Sequence, residues 1–316
     1  MYNQQIRNLI SNLERRDKPI ILDIILEGCA FNGMYEVGVL LFIKELEKQA
    51  FIKVDRISGV SIGSLMGFSY FTDNLELSME YYKELREYWK HNFNLNIYEE
   101  TLKKTINEMK EEDFNNIKNG KLFINYNNVD TLEHTVQDNY NDRNDLMNAI
   151  LKSSHLPYIT NDKMCQEHFF IDGGSPFIFY DREKNTERKI LYVSINTLSK
   201  MTKMMNVKEI NCEGKVLAGI LECYNLFHSN QKNNLCSFIH QWNSYDFIIL
   251  RFKEIFMKIL VYLIFFLYKS RDYLTNCDNV IKYSNNIYLS PFKMGINFIS
   301  GNVKELYRDF ILYYCF

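Results

Sequence analysis

The feature that most constrains the fold is a nearly uninterrupted aliphatic run at residues 20–26, which ends at Glu27 and a glycine-bearing loop. Such a run is typical of a strand buried in a parallel sheet. From Gly33 apolar residues recur at helical spacing, residues 51–58 return to a strand pattern, and residues 61–71 have the small and apolar residues of a closely packed helix. The sequence therefore predicts a β-loop-α-β-turn-α unit of an α/β fold.

Two long stretches interrupt the sheet pattern. Residues 75–144 are charged and rich in Asn, and residues 206–270 are mostly helical in period. We expect both to be helical insertions in a single domain, residues 1–316, with its core at about 18–200 and 280–316. Other patterns predict, in order, strand residues at 121–124, a helix at 145–154, strands at 167–171 and 190–195, an edge strand at 286–289 and a closing helix at 303–313.

Composition and charge indicate an ordinary globular protein. Hydrophobic residues make up 47% of the chain and charged residues 24%, and the net charge of −2 gives no field that favours nucleic acid. The seven cysteines include no C-x-x-C pair that would suit zinc, and residues 1–19 lack the apolar region of a secretory signal. We therefore expect a reducing, intracellular, cytoplasmic location.

A G-x-S-x-G sequence, Gly59 to Gly63, lies between the second strand pattern and the small-residue helix. Flanking glycines permit the sharp strand-to-helix turn that exposes a nucleophilic serine, here Ser61. Alone, the pattern fits a glycine-rich helix entry packed on a sheet equally well. Its position between a strand and a helix favours the nucleophile.

The loop after the first strand, Gly28-Cys29-Ala30 and on to Gly33, has the place of an oxyanion hole. In isolation it would be a plain strand-to-helix turn. Because parallel strands end at the same edge of a sheet, this loop and the serine are expected to meet there.

A general base is offered by Asp172, which ends the 167–171 strand pattern and precedes Gly173. Asp-Gly-Gly is by itself usually a turn. Ser61, Asp172 and either His228 or His240 would also follow the chain order of a histidine-assisted α/β-hydrolase triad, so this alternative stays open.

Together these motifs resemble the patatin-like phospholipases, and the resemblance covers most of the chain. Residues 28–39 are similar to the G-C-x-F-x-G-x-Y-x-x-G-V loop of the animal adiponutrin and adipose triglyceride lipase branch. Residues 150–158 are similar to the A-S-x-x-x-P-x-x-F segment that precedes the family's aspartate. This chain departs from the family at Asn32, where Lys or Arg is commoner, and at Ser175-Pro176-Phe177, which replaces the Asn and Pro that the family has a few residues after D-G-G.

The resemblance implies a three-layer fold with a mostly parallel sheet flanked by helices. It implies a phospholipase A-type lipid acyl hydrolase in which Asp172 accepts the proton of Ser61, an acyl-enzyme forms, and neither metal nor cofactor is needed. Its substrates would be phospholipids or acylglycerols at a membrane or lipid-droplet surface, with peripheral association. The alternatives are a triacylglycerol lipase or transacylase, and a non-catalytic or partner-activated lipid-binding protein.

Residues 247–268 are strongly apolar but carry charges that make a membrane span improbable. Arg251, Glu254, Lys258 and Tyr262 recur at spacings of three and four, which leaves a broad apolar face. That face suits either packing on the core or lying in a lipid interface. Aromatic residues at helical spacing are usually buried, which favours core packing.

Overall fold

A computed structural model describes residues 2–15, 17–92, 94–179, 188–196 and 212–281, with the side chains of the last helix described to residue 266. The strands are β1 (Ile20–Leu26), β2 (Ile52–Val60), β3 (Asn119–Asn128), β4 (Glu133–Asn139), β5 (Phe170–Asp172), β6 (Arg188–Val193) and β7 (Cys236–Phe238). The helices are α1 (Asn3–Ile10), α2 (Gly33–Lys48), α3 (Ile62–Phe71), α4 (Leu75–Asn92), α5 (Ile97–Glu108), α6 (Glu111–Ile117), α7 (Arg143–Ser153), α8 (Cys212–Ser229) and α9 (Ser244–Ile281).

The strands form one mixed sheet in the order β4-β3-β2-β1-β6-β7. β3, β2, β1 and β6 are parallel neighbours, and β4 and β7 pair antiparallel at the two ends. The predicted α/β fold with a mostly parallel sheet flanked by helices is thus confirmed. The predicted βαβα unit corresponds to β1, α2, β2 and α3.

β1 is buried on both faces, which explains its aliphatic composition. Leu22 and Ile24 face the main core, to which α2, α3 and α8 also contribute, whereas Ile25 faces a smaller cluster that includes Leu250 of α9. Helices therefore cover both faces of the sheet, and side chains alternate between them as a pleated strand requires.

Both segments predicted to be helical insertions contain strands of the sheet. Within residues 75–144, β3 pairs with β2 and β4 pairs with β3; within residues 206–270, β7 pairs with β6. β4 (EHTVQDN) is polar and β7 has only three residues, so neither has the apolar alternation that a sequence pattern can detect. The edge strand predicted at 286–289 and the helix predicted at 303–313, like nearly all of the 280–316 core segment, lie outside the described residues.

The strand predicted at 167–171 is shorter than expected and antiparallel to its neighbour. β5 spans Phe170–Asp172 and pairs with β3. Glu167 and His168 have positive φ angles of 42° and 73°, so they turn the chain instead of extending it. The strand begins only after this turn.

The prediction that the apolar face of residues 247–268 packs on the core is wrong for the described part of α9. Most large apolar side chains of this helix are exposed, Phe252 and Phe266 each to 68%, whereas Leu250 and Val261 are buried. Among the described residues, no helix is both long and apolar enough to cross a bilayer.

Candidate active site

Ser61 occupies a strained turn between β2 and α3. Its backbone has φ 54° and ψ −126°, a combination that a non-glycine residue rarely adopts. The turn is tight, because a Cβ atom at Gly59 would overlap the backbone of Gly63, and one at Gly63 would lie 2.7 Å from the carbonyl oxygen of Leu26. The sharp strand-to-helix turn predicted at Ser61 is therefore the observed local geometry.

β3 aligns the serine with the aspartate. Val60, the last residue of β2, pairs with Asn125, and Asp172 of β5 pairs with Tyr126, the next residue of β3. β2 therefore pairs with β3 as far as residue 125, and β5 pairs with β3 from residue 126 onward. This arrangement brings Asp172 beside the turn at Ser61. The Ser61 hydroxyl donates a hydrogen bond to the Asp172 carboxylate.

The Asp172 carboxyl is buried, and burial raises its pKa from 3.8 to about 6. The hydrogen bonds from the Ser61 hydroxyl and the Gly174 backbone N–H, the latter 2.7 Å from Oδ1, lower the pKa and partly oppose this effect. At neutral pH the group is an ionised carboxylate with a proton affinity well above that of an exposed aspartate, which suits a general base.

The segment at 150–158 holds the serine turn and the aspartate together. Ser153 Oγ accepts a hydrogen bond from the Ser61 backbone N–H at 2.9 Å, and the carbonyl of His155 accepts one from the Asp172 N–H, also at 2.9 Å. Sequence reasoning matched this segment to a family motif without assigning it contacts. That motif match was the signal in the sequence, and it did not distinguish Ser153 and His155 as the residues that make these contacts.

A chain of side-chain hydrogen bonds fixes the Asp-Gly-Gly turn from the other side. Asn127 Nδ2 donates to the carbonyl of Asp172 at 2.8 Å, and Asn127 Oδ1 lies 3.0 Å from His134 Nδ1. Asn125 Nδ2 lies 3.2 Å from His134 Nε2 and donates to the carbonyl of Ser175 at 3.1 Å. No sequence motif marks these residues, and Asn125, Asn127 and His134 lie on strands within a segment predicted to be a helical insertion.

The predicted oxyanion loop lies against the serine. A Cβ atom at Gly28 would come within 2.7 Å of Ser61 Cβ, so only glycine allows this approach. Ala30 has a positive φ of 39°, and burial raises the pKa of the Cys29 thiol to about 12, so that the thiol stays neutral. The buried Lys215 of α8 donates to the carbonyl of Phe31 at 3.2 Å and brings a cation to this loop, which has Asn32 at the position where the family often has Lys or Arg.

The supporting glycines lie at the candidate site, whereas the two candidate histidines pack against aromatic rings. Gly33 begins α2 beside Ile62, and Gly173 lies against the backbone of Asn125. His228 packs on Tyr224, and His240 stacks on Phe238, with ring centroids 5.3 and 5.5 Å apart. Among the described contacts, the Ser61 hydroxyl donates its hydrogen bond to the carboxylate of Asp172 and not to a histidine.

A mostly apolar cavity lies beside Ser61 and the oxyanion loop. Its lining is almost entirely apolar, and the cavity is partly open to solvent. Met66 of α3, Leu85 of α4 and Leu102 of α5 contribute to its walls. A cavity of this character next to a nucleophile can hold an acyl chain.

A strained serine turn facing an aspartate at the carboxyl edge of a mostly parallel sheet is an arrangement suited to acyl transfer. The model of the patatin-like phospholipase family matches residues 24–181, a segment that includes Ser61, Asp172 and the oxyanion loop, and the chain belongs to this family. Membership supports lipid acyl hydrolase activity in general. A search of the curated proteins found no match.

Proposed function

We propose that this protein is a phospholipase A-type lipid acyl hydrolase with Ser61 as nucleophile and Asp172 as general base. The observation that carries this proposal is the buried carboxylate of Asp172, whose pKa is raised to about 6 and which accepts the Ser61 hydroxyl. Family membership and the apolar cavity beside the serine support a lipid substrate.

In the first half of the reaction, Asp172 takes the proton of Ser61 as Oγ attacks the ester carbonyl carbon. Backbone N–H groups of Gly28, Cys29 and Ala30 stabilise the oxyanion. Collapse of the tetrahedral intermediate breaks the ester bond, and the leaving alcohol takes the proton from Asp172. An acyl-enzyme and a lysolipid or partial glyceride result.

In the second half, Asp172 removes a proton from a water molecule that attacks the acyl-enzyme. Collapse of this second intermediate releases the fatty acid and returns the proton to Ser61 Oγ. The proposed cycle uses side chains and backbone N–H groups of this protein, together with water. A lipid alcohol in place of water would give transacylation by the same steps.

The test measures release of free fatty acid from phosphatidylcholine vesicles and triacylglycerol emulsions, without added metal. We expect Ser61→Ala and Asp172→Ala to lose turnover, a fall of about 10⁴-fold or more. The exposed Ser229→Ala and Asp162→Ala variants are matched controls and should keep wild-type activity. The ratio of the two activities separates a phospholipase from a triacylglycerol lipase.

Other outcomes would favour the alternatives. Full activity in Ser61→Ala would remove the serine from the mechanism. Loss of activity in His228→Ala or His240→Ala would favour a histidine-assisted triad. Folded wild-type protein without activity on either lipid would favour a non-catalytic or partner-activated lipid-binding protein.

A further inference from the structure

α9 exposes one broad apolar face to solvent. Phe252 and Phe256 are 68% and 62% exposed, although aromatic side chains of this size are ordinarily buried. A contiguous apolar patch of this kind marks an interaction site. The large apolar side chains on this face are Tyr245, Phe247, Ile248, Ile249, Phe252, Ile255, Phe256, Ile259, Leu260, Tyr262, Leu263 and Phe266.

The opposite face of α9 packs on the protein. Leu250, Lys253, Met257 and Val261 recur at intervals of three and four residues and are buried or half-buried. Leu250 joins the cluster around Ile25, and Val261 joins the cluster that contains residue 171 of β5. The helix therefore spans the sheet from β1 to β5, with its apolar stripe turned outward.

Two side chains of this inner face, one helical turn apart, contact both halves of the candidate active site. Lys253 Nζ donates to Glu27 Oε1 at 2.6 Å, and Glu27 immediately precedes the oxyanion loop. The Met257 side chain covers Gly174, two residues after Asp172, where a Cβ atom would overlap it.

The charge of Glu27 acts on the oxyanion loop. Glu27 is buried, and its side chain accepts hydrogen bonds from the Tyr192 hydroxyl, the Ser194 hydroxyl and the Asn196 N–H. Its charge contributes to the raised pKa of the Cys29 thiol, within the loop itself. The same charge would oppose a developing oxyanion, and Lys253 offsets it.

We propose that α9 docks its exposed apolar face on an anionic lipid surface and that Lys253 couples this docked helix to the oxyanion loop by neutralising Glu27. The inference rests on the proposed lipid acyl hydrolase function. Exposed cationic side chains complement anionic headgroups: Lys258 lies on this helix, and Arg251, although paired with Glu254, keeps 55% of its side chain exposed. Lys253 is a positioning residue, since it acts through Glu27.

The docking test compares wild type with the double variant Phe252→Glu, Phe256→Glu. Sedimentation with phosphatidylcholine vesicles containing phosphatidylserine should show at least tenfold weaker binding, and hydrolysis of vesicle phospholipid should fall in proportion. Hydrolysis of a dissolved short-chain p-nitrophenyl ester should stay within twofold of wild type, because both side chains point away from the site. The matched control is Leu217→Glu, Leu221→Glu, which changes exposed leucines of α8 and should leave binding unaltered.

Unchanged vesicle binding in the Phe252, Phe256 variant would overturn the docking proposal. If the variant has a lower mass than wild type in light scattering while its vesicle binding is unchanged, a second copy of the chain occupies this face. That outcome also overturns the docking proposal. Vesicle binding needs no catalysis, so docking is decided even if wild-type protein hydrolyses no lipid. Absence of lipid hydrolysis by folded wild-type protein would overturn the proposed function and the coupling through Lys253.

The coupling test uses the dissolved ester, which needs no lipid surface. Lys253→Met should lower kcat about tenfold with KM within twofold, and Lys253→Arg should keep most of the activity. Adding Glu27→Gln to Lys253→Met should restore kcat to within threefold of wild type, since the unpaired buried charge is then gone. A double variant no more active than Lys253→Met, in soluble folded protein, would overturn the coupling.

Discussion

At the scale of single residues, the positions of Ser61 and Asp172 are set by backbone constraints more than by their own side chains. Ser61 is held at a positive φ, and its N–H is bound by Ser153. Asp172 is bound through its N–H by His155 and through its carbonyl by Asn127. The two side chains are thus preorganised, which would spare the proposed reaction the cost of orienting them.

The raised pKa of Asp172 predicts the pH dependence of activity. A general base must be deprotonated, so kcat/KM should rise about tenfold per pH unit below pH 6 and level off above it. A pH profile with the dissolved ester, compared between wild type and the Phe252, Phe256 variant, measures this without interference from lipid ionisation. A profile that is flat between pH 5 and 7 would contradict Asp172 as the base.

The raised pKa of Asp172 also predicts that this group lowers the stability of the protein at neutral pH. The native state keeps the Asp172 proton up to about pH 6, while the unfolded chain loses it near 3.8. As pH rises through this window, the native state binds more protons than the unfolded state, so this group lowers the free energy of unfolding by up to about 3 kcal/mol. Asp172→Asn should remove that loss. Urea unfolding of both proteins at pH 4 and pH 8 measures it, and an equal difference at the two pH values would contradict the prediction.

At the scale of elements, α3, α4 and α5 wall the cavity beside Ser61, and β3 sets the register between serine and aspartate. Ser61 and Ala30 also line this cavity, but the walls that α4 and α5 supply contain no proposed catalytic group. Changes in α5 should alter which acyl chains fit and leave the chemistry intact.

Leu102→Phe on α5 tests this separation. The larger side chain should fill part of the cavity and shift the preference for p-nitrophenyl esters toward shorter acyl chains, with kcat for the acetyl ester within twofold of wild type. Overpacking costs about 1–3 kcal/mol of stability. Ile106→Phe is the matched control, because Ile106 is buried in the same helix but does not line the cavity. An equal change in chain-length preference in both variants would contradict the assignment.

At the scale of the whole molecule, the sheet separates the site from an ion-pair network. The oxyanion loop and the serine turn follow the carboxyl ends of β1 and β2. Further back along these strands, the fully buried Asp23 of β1 pairs with Arg56 of β2 at 2.5 Å and with Arg188, the first residue of β6, at 2.7 Å. This network joins β1, β2 and β6 and contacts no residue of the proposed dyad.

We expect Asp23→Ala to destabilise the protein while leaving catalysis unchanged. Removing the carboxylate leaves two partly buried guanidinium groups without this partner, at a cost of about 2–3 kcal/mol after allowance for their partial exposure. Urea unfolding gives the stability, and kcat per active site, titrated with a fluorophosphonate, gives the catalytic effect. A large fall in kcat with unaltered stability would contradict this division.

The sequence by itself determined the βαβα unit, the sharp turn at the candidate nucleophile, the candidate oxyanion loop and the candidate base. These features are local: an aliphatic run, a glycine that permits close approach and a helix period can each be read within a short window. The identity of Ser61 and Asp172 as candidates, and the family to which they point, followed from four such windows in order.

Only the tertiary structure decided what these windows contact. β5 meets β3 antiparallel, α9 turns its apolar face outward, and Lys253 reaches Glu27 across 226 residues. The amphipathic period of α9 specifies that one face differs from the other, but not which face meets the protein. That choice depends on partners distant in the sequence, here the buried carboxylate of Glu27 and Gly174, which has no side chain and leaves room for Met257. These partners become neighbours only when the sheet has formed.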